Sequence, residues 1–189
     1  MKIGLFFGSY NPVHVGHLII AQTMVERTDL DKVWLVVSPQ NPLKVSHSLL
    51  NEYDRLRMVE LAIGDNPGLQ ASNVEFSLPK PSYTIDTLNH LEKTYPCYDF
   101  SILMGEDNLR HLHKWKAAGQ IATHYHIYVY PRPGNYKPMQ MEAQTTRVDA
   151  PYLELSSSDV RQRIKQGHSI RYYVPEVVAA YIRQHQLYV

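Results

Sequence analysis

The stretch KIGLFFGSYNPVHVGHLIIAQTMVERT, residues 2–28, decides the fold. Its first part, KIGLFFG (2–8), is continuously apolar and bounded by glycine. That pattern predicts a strand buried on both faces. GHLIIAQTMVERT (16–28) then places Leu18, Ala21, Met24 and Val25 at helical spacing. Between them Gly8 and Ser9 sit at a strand-to-helix turn, where glycine lets backbone come close to a bound group. The first amides of such a helix have no internal partner and carry the positive end of its dipole, so a phosphate fits there. The dinucleotide fingerprint Gly-x-Gly-x-x-Gly is absent, which weakens a dehydrogenase reading.

The same alternation continues along the chain. Strands are expected at 32–39, 69–76, 98–105, 126–134 and 145–151. Helices are expected at 51–65, with Asn51 as N-cap and Gly64 near its end, and at 82–96. One or two short helices are expected in 106–122, and two close the chain at 156–166 and 175–186. Residues 135–144 read as a loop. Strands alternating with helices imply an α/β fold: a Rossmann-like, doubly wound parallel sheet, helices on both faces and a small helical C-terminal part. Ligands in such sheets bind beyond the carboxyl ends of the strands, where the opening turn falls. The chain is expected to form a single domain over 1–189.

Composition excludes several classes. A net charge of +1 with no basic run argues against a nucleic-acid coat and a polybasic membrane anchor. The one cysteine, Cys97, cannot form an internal disulfide, and there is no Cys-x-x-Cys for zinc or redox work. The N-terminal apolar run is too short for a signal peptide, and no segment is long enough to span a bilayer. A cytoplasmic protein is expected.

His14 and His17 lie three residues apart, so a helical first turn would bring them to one face. Each offers a ring N–H and can become cationic beside an anion. Two unrelated surface histidines would produce the same spacing, and a zinc site would need a third ligand that is not evident. The turn, the preceding strand and Gly16 between the histidines favour phosphate. In LSSSDVRQRIKQG (155–167), Ser156 and Asp159 form a capping box. A capping box alone signals only a well-capped helix, but three consecutive hydroxyls, Ser156, Ser157 and Ser158, with Arg161 and Arg163 point to a second cradle for phosphate.

GSYNPVHVGH (8–17) together with SSSDVR (156–161) resembles the HxGH nucleotidyltransferases, and within them the bacterial nicotinate-mononucleotide adenylyltransferases. The likeness covers nearly the whole chain: PQNPLK (39–44), PSYTIDTL (81–88), MGEDNLRHLHKW (104–115), RPG (132–134) and VPEVVAAYIRQHQLY (174–188) follow in the family's order. Phe7, Tyr10 and Asn11 depart from its first loop, which usually carries a second glycine, a phenylalanine and an aspartate. The resemblance implies transfer of AMP from ATP to nicotinate mononucleotide, releasing pyrophosphate, with magnesium carried on the phosphates. It implies catalytic roles for His14, His17 and Arg161, and ATP contacts from Gly8, Ser9, Tyr10, Gly16, Gly105, Arg132, Ser156, Ser157 and Ser158. It implies nicotinate mononucleotide contacts from Lys44, Tyr83, Thr84, Asp107 and Trp115. Read unaided, Arg132 and Lys44 are also ordinary solvent cations, Trp115 an ordinary core residue and Asp107 an ordinary helix-start acid. No protein metal site is assigned, HLH (111–113) and HYH (124–126) included. Other acceptors, nicotinamide mononucleotide or phosphopantetheine, and a non-catalytic nucleotide sensor stand as alternatives, and a homo-oligomer is left open.

Overall fold

The computed structural model describes residues 1–40, 49–132 and 142–189. Strands β1 (Lys2–Gly8), β2 (Lys32–Val37), β3 (Leu69–Ser72), β4 (Asp99–Gly105), β5 (Ile127–Tyr130) and β6 (Thr145–Arg147) form one sheet in the order β3-β2-β1-β4-β5-β6. Every pairing is parallel. The helices are α1 (Val15–Arg27), α2 (Glu52–Ile63), α3 (Thr84–Thr94), α4 (Glu106–Arg110), α5 (Ala118–His124), α6 (Ser157–Lys165) and α7 (Glu176–Gln184).

Strand alternation feeds two cores, one on each face. Phe6, Val33, Leu35, Leu103 and Tyr128 join a cluster closed by Ala21 and Met24 of α1, Met58 of α2, Val160 of α6 and Val178 of α7. Their neighbours Leu5, Trp34, Ile102, Met104 and Ile127 join a second cluster closed by Leu88 of α3 and Ile121 of α5. Side chains that alternate across a strand must be buried on both faces for such runs to be apolar throughout. The two C-terminal helices pack into the first core. No helix among the described residues is long and apolar enough to cross a membrane.

The element ends follow local chemistry. Asn51 accepts from the Tyr53 amide at the start of α2, and Gly64 ends that helix with φ +58°. Ser156 and Asp159 make the reciprocal capping box at α6. Three expectations need correction. The strand expected over 69–76 stops at Ser72, and Val74–Ser77 is a 3-10 turn that brings the buried Glu75 carboxylate to the Thr87 hydroxyl at 2.8 Å. The strand expected over 126–134 ends at Tyr130, before Pro131, which has no amide to extend a ladder. The sixth strand is an exposed edge of three residues.

Candidate active site

β1 and β4 are neighbours at the centre of the sheet, and the chain leaves them toward opposite faces. The crevice beyond their carboxyl ends is where a doubly wound sheet binds ligands. The loop after β1 is built from the inside out. Tyr10 has a left-handed backbone, φ 46°, and its hydroxyl donates to the Phe6 carbonyl. Its ring fills the space beside Gly8, where a β-carbon would lie 2.8 Å from it. Tyr10 is thus 2% exposed, and its side chain supports the loop from below instead of lining the cleft.

His14 is the N-cap residue of α1 and His17 is its third residue. Their rings stack with centroids 3.7 Å apart. Gly16 makes room: a β-carbon there would lie 3.0 Å from His14 Nδ1. The His14 amide donates to His17 Nδ1 at 3.2 Å. An Nδ1 that accepts leaves the neutral ring's proton on Nε2, so His17 presents an Nε2–H donor. The Tyr10 and Phe6 rings meet His17 edge-on at 5.0 and 6.1 Å and fix its plane. The two histidines differ in exposure, since His14 is buried and His17 half-buried. His14 Nδ1 is turned toward the first-turn amides without a well-formed hydrogen bond. Burial, then the Arg132 guanidinium, lower the His14 pKa to about 4, with Asp159 opposing them. In the ligand-free protein His14 is therefore a neutral ring at pH 7.

The second motif meets the first directly. Arg161 Nη1 donates to the Asn11 carbonyl at 2.7 Å, and Ser157 Oγ donates to the Pro12 carbonyl at 2.8 Å. Arg161 Nη2 reaches Ser158 Oγ at 3.1 Å, and Ser156 is engaged in its cap. Ser156 and Ser158 remain exposed. At the end of β4, a β-carbon on Gly105 would collide with Asp107 Oδ1 at 2.4 Å and Arg132 Cγ at 2.8 Å. Glycine there lets these two side chains converge, Nε to Oδ1 3.9 Å apart. Both atoms are buried without a hydrogen-bond partner of their own.

The acceptor candidates stand on the other face. Tyr83 is the N-cap residue of α3, Thr84 is its first residue, and Trp115 follows a 3-10 turn at Leu112–Lys114. Tyr83 and Trp115 are half-buried against the second core. Lys116, next to Trp115, reaches α3, its Nζ lying 4.8 Å from the centre of the Tyr83 ring and 2.7 Å from Asp86. Lys44 lies outside the described residues.

Sequence reasoning missed three residues. Arg55 is fully buried in α2 and donates to the carbonyls of Ser9, Ser38, Pro39 and Leu50. The signal was its position three and four residues before the buried Met58 and Val59, on the apolar stripe of the helix. Asn11 is 4% exposed, and its Oδ1 accepts from the Leu50 amide and the Tyr188 hydroxyl. No local pattern marks either Asn11 or Tyr188.

The cytidylyltransferase-like family matches residues 5–163. A protein of Cytophaga hutchinsonii, named a probable nicotinate-nucleotide adenylyltransferase, is 53% identical over 100% of this chain and 98% of its own length. A protein of the same name from Flavobacterium johnsoniae is 48% identical over 100% of this chain and 99% of its own. The Plasmodium falciparum nicotinic acid mononucleotide adenylyltransferase complexed with NaAD superposes with a TM-score of 0.83 over 99% of this chain and 97% of that one, at 17% identity, a likeness of fold. The chain belongs to the cytidylyltransferase-like family and, within it, to the nicotinate-nucleotide adenylyltransferases.

Proposed function

We propose that this chain transfers the adenylyl group of ATP to nicotinate mononucleotide, forming nicotinate adenine dinucleotide and pyrophosphate. The observation that carries the reading is the stacked His14–His17 pair at the start of α1, hydrogen-bonded through its loop to the α6 motif. His17 Nε2–H at the start of α1 is the donor for the α-phosphate, since the Val15 and His17 amides already donate to the Tyr173 and His14 carbonyls. Ser156, Ser157, Ser158 and Arg161 at α6 take the outer phosphates and adenosine, with Arg132 as a further cation. Gly8 and Ser9 give the backbone edge of the pocket. Asp107 offers acceptors to ribose hydroxyls, the α3 start with Tyr83 and Thr84 offers donors to the nicotinate carboxylate, and Trp115 offers a ring to stack on.

No side-chain nucleophile is needed. An acceptor phosphate oxygen bonds to the α-phosphorus as the bond to the bridging oxygen breaks, and pyrophosphate leaves with that electron pair. The protein aligns the two and meets the developing charge with fixed donors. Among the described residues no three His, Cys, Asp or Glu side chains converge as a metal cage. A magnesium ion carried on the nucleotide would be held chiefly by triphosphate oxygens and water. Bound there, the ion offsets phosphate charge.

The test is pyrophosphate release from ATP with nicotinate mononucleotide, nicotinamide mononucleotide and phosphopantetheine offered separately. The expected result is release with nicotinate mononucleotide at the highest kcat/KM. Fastest release with phosphopantetheine, or ATP binding with no release from any acceptor, would refute it.

A further inference from the structure

The loop that leads into His14 is held by groups the nucleotide itself would claim. Arg161 grips the Asn11 carbonyl and Ser157 grips the Pro12 carbonyl, and both belong to α6. An anion at the start of α6 competes for that guanidinium and that hydroxyl. A further grip comes from outside the two motifs. Tyr188, one residue from the end of the chain, donates its hydroxyl to Asn11 Oδ1 at 2.9 Å. Tyr188 is 8% exposed. Its backbone is left-handed, φ 67°, a conformation that a bulky residue holds only where its surroundings fix it. Leu187 anchors that turn, with its amide on the Ile182 carbonyl at 3.0 Å and its side chain against the first core.

We infer that Tyr188 is a positioning residue, a latch by which the C-terminus keeps Asn11, and with it His14, in register when Arg161 and Ser157 turn to the triphosphate. Asn11 suits the latch because its carboxamide accepts from Tyr188 and Leu50 without burying a charge. The inference rests on the proposed nucleotide site for its catalytic consequence, but not for the loop restraint.

The test compares Tyr188→Phe with Tyr181→Phe. Tyr181 of α7 makes an equally long bond, 2.9 Å, to Asp54 of α2 rather than to a residue of the loop. Amide hydrogen exchange of residues 9–14 in the ligand-free protein reads the restraint directly. Tyr188→Phe should speed it about tenfold, the worth of one buried hydrogen bond, and Tyr181→Phe should leave it at the wild-type rate. In turnover, Tyr188→Phe should lower kcat about tenfold with an unchanged KM for the acceptor. Asn11→Ala reads the same bond from its other end, and adding Tyr188→Phe to it should change exchange less than about twofold. Wild-type exchange in Tyr188→Phe, or equal acceleration in both tyrosine variants, would overturn the latch. Because exchange needs no substrate, a failed acceptor assay leaves this result standing.

Discussion

His14 and His17 share a motif but not an environment, and their difference sets a pH dependence. Burial and Arg132 hold His14 neutral down to about pH 4, against an ordinary value of 6.5. The unfolded chain takes up that proton below about 6.5, and the folded chain only below about 4. Between those limits the unfolded state binds more protons, so stability rises with pH across the window and is fully present above it. The size is on the order of 3 kcal/mol. Urea unfolding at pH 4.5 and pH 7 should show this difference in the wild type and a much flatter one in His14→Gln. An equal slope in both would place the effect elsewhere. The sequence offered both histidines as a candidate anion site, because two rings, a helix start and a small residue between them are local features. It did not make the burial of His14 legible. The charged groups that bear on His14, Arg132 and Asp159 of α6, lie far along the chain.

At the scale of elements, helix α2 does more than cover the sheet. Arg55 forks onto carbonyls of the first loop (Ser9), the end of β2 (Ser38, Pro39) and its own helix start (Leu50). Burial lowers its pKa, and the four carbonyls satisfy its protons in place of a carboxylate. Arg55→Met should remove about 3 kcal/mol of stability by leaving several carbonyls unpaired, read as a lower urea midpoint. Lysine should not restore it, because an ammonium lacks the planar fork. A loss below about 1 kcal/mol would show that water replaces the guanidinium freely. Helix ends were legible where a side chain caps its own turn, as at Asn51, Gly64 and Ser156. The end of β3 was not, because the 3-10 turn after it is set by a contact between Glu75 and Thr87 of another element.

For the whole molecule, the sheet order places β1 beside β4 and sends successive crossovers to both faces. Alternating apolar strands announced that architecture, since only a sheet covered on both sides buries such runs. What no periodicity announces is the meeting of the first loop with α6 and the C-terminus, through hydrogen bonds spanning 150 and 177 positions of the chain. The resemblance to a known family supplied the pairing of the two motifs, and the fold brings them into contact: α6 side chains hydrogen-bond the loop that leads into α1. On the proposed function, His17 Nε2–H is the donor that meets the charge built during displacement. The most direct measurement is therefore the rate of pyrophosphate release from ATP and nicotinate mononucleotide by wild-type protein and by His17→Ala. The account predicts a kcat lower by about 10²–10³-fold in the variant, the loss of one oxyanion-type donor, with the fold intact by circular dichroism. Near-normal turnover in a folded His17→Ala protein would contradict it.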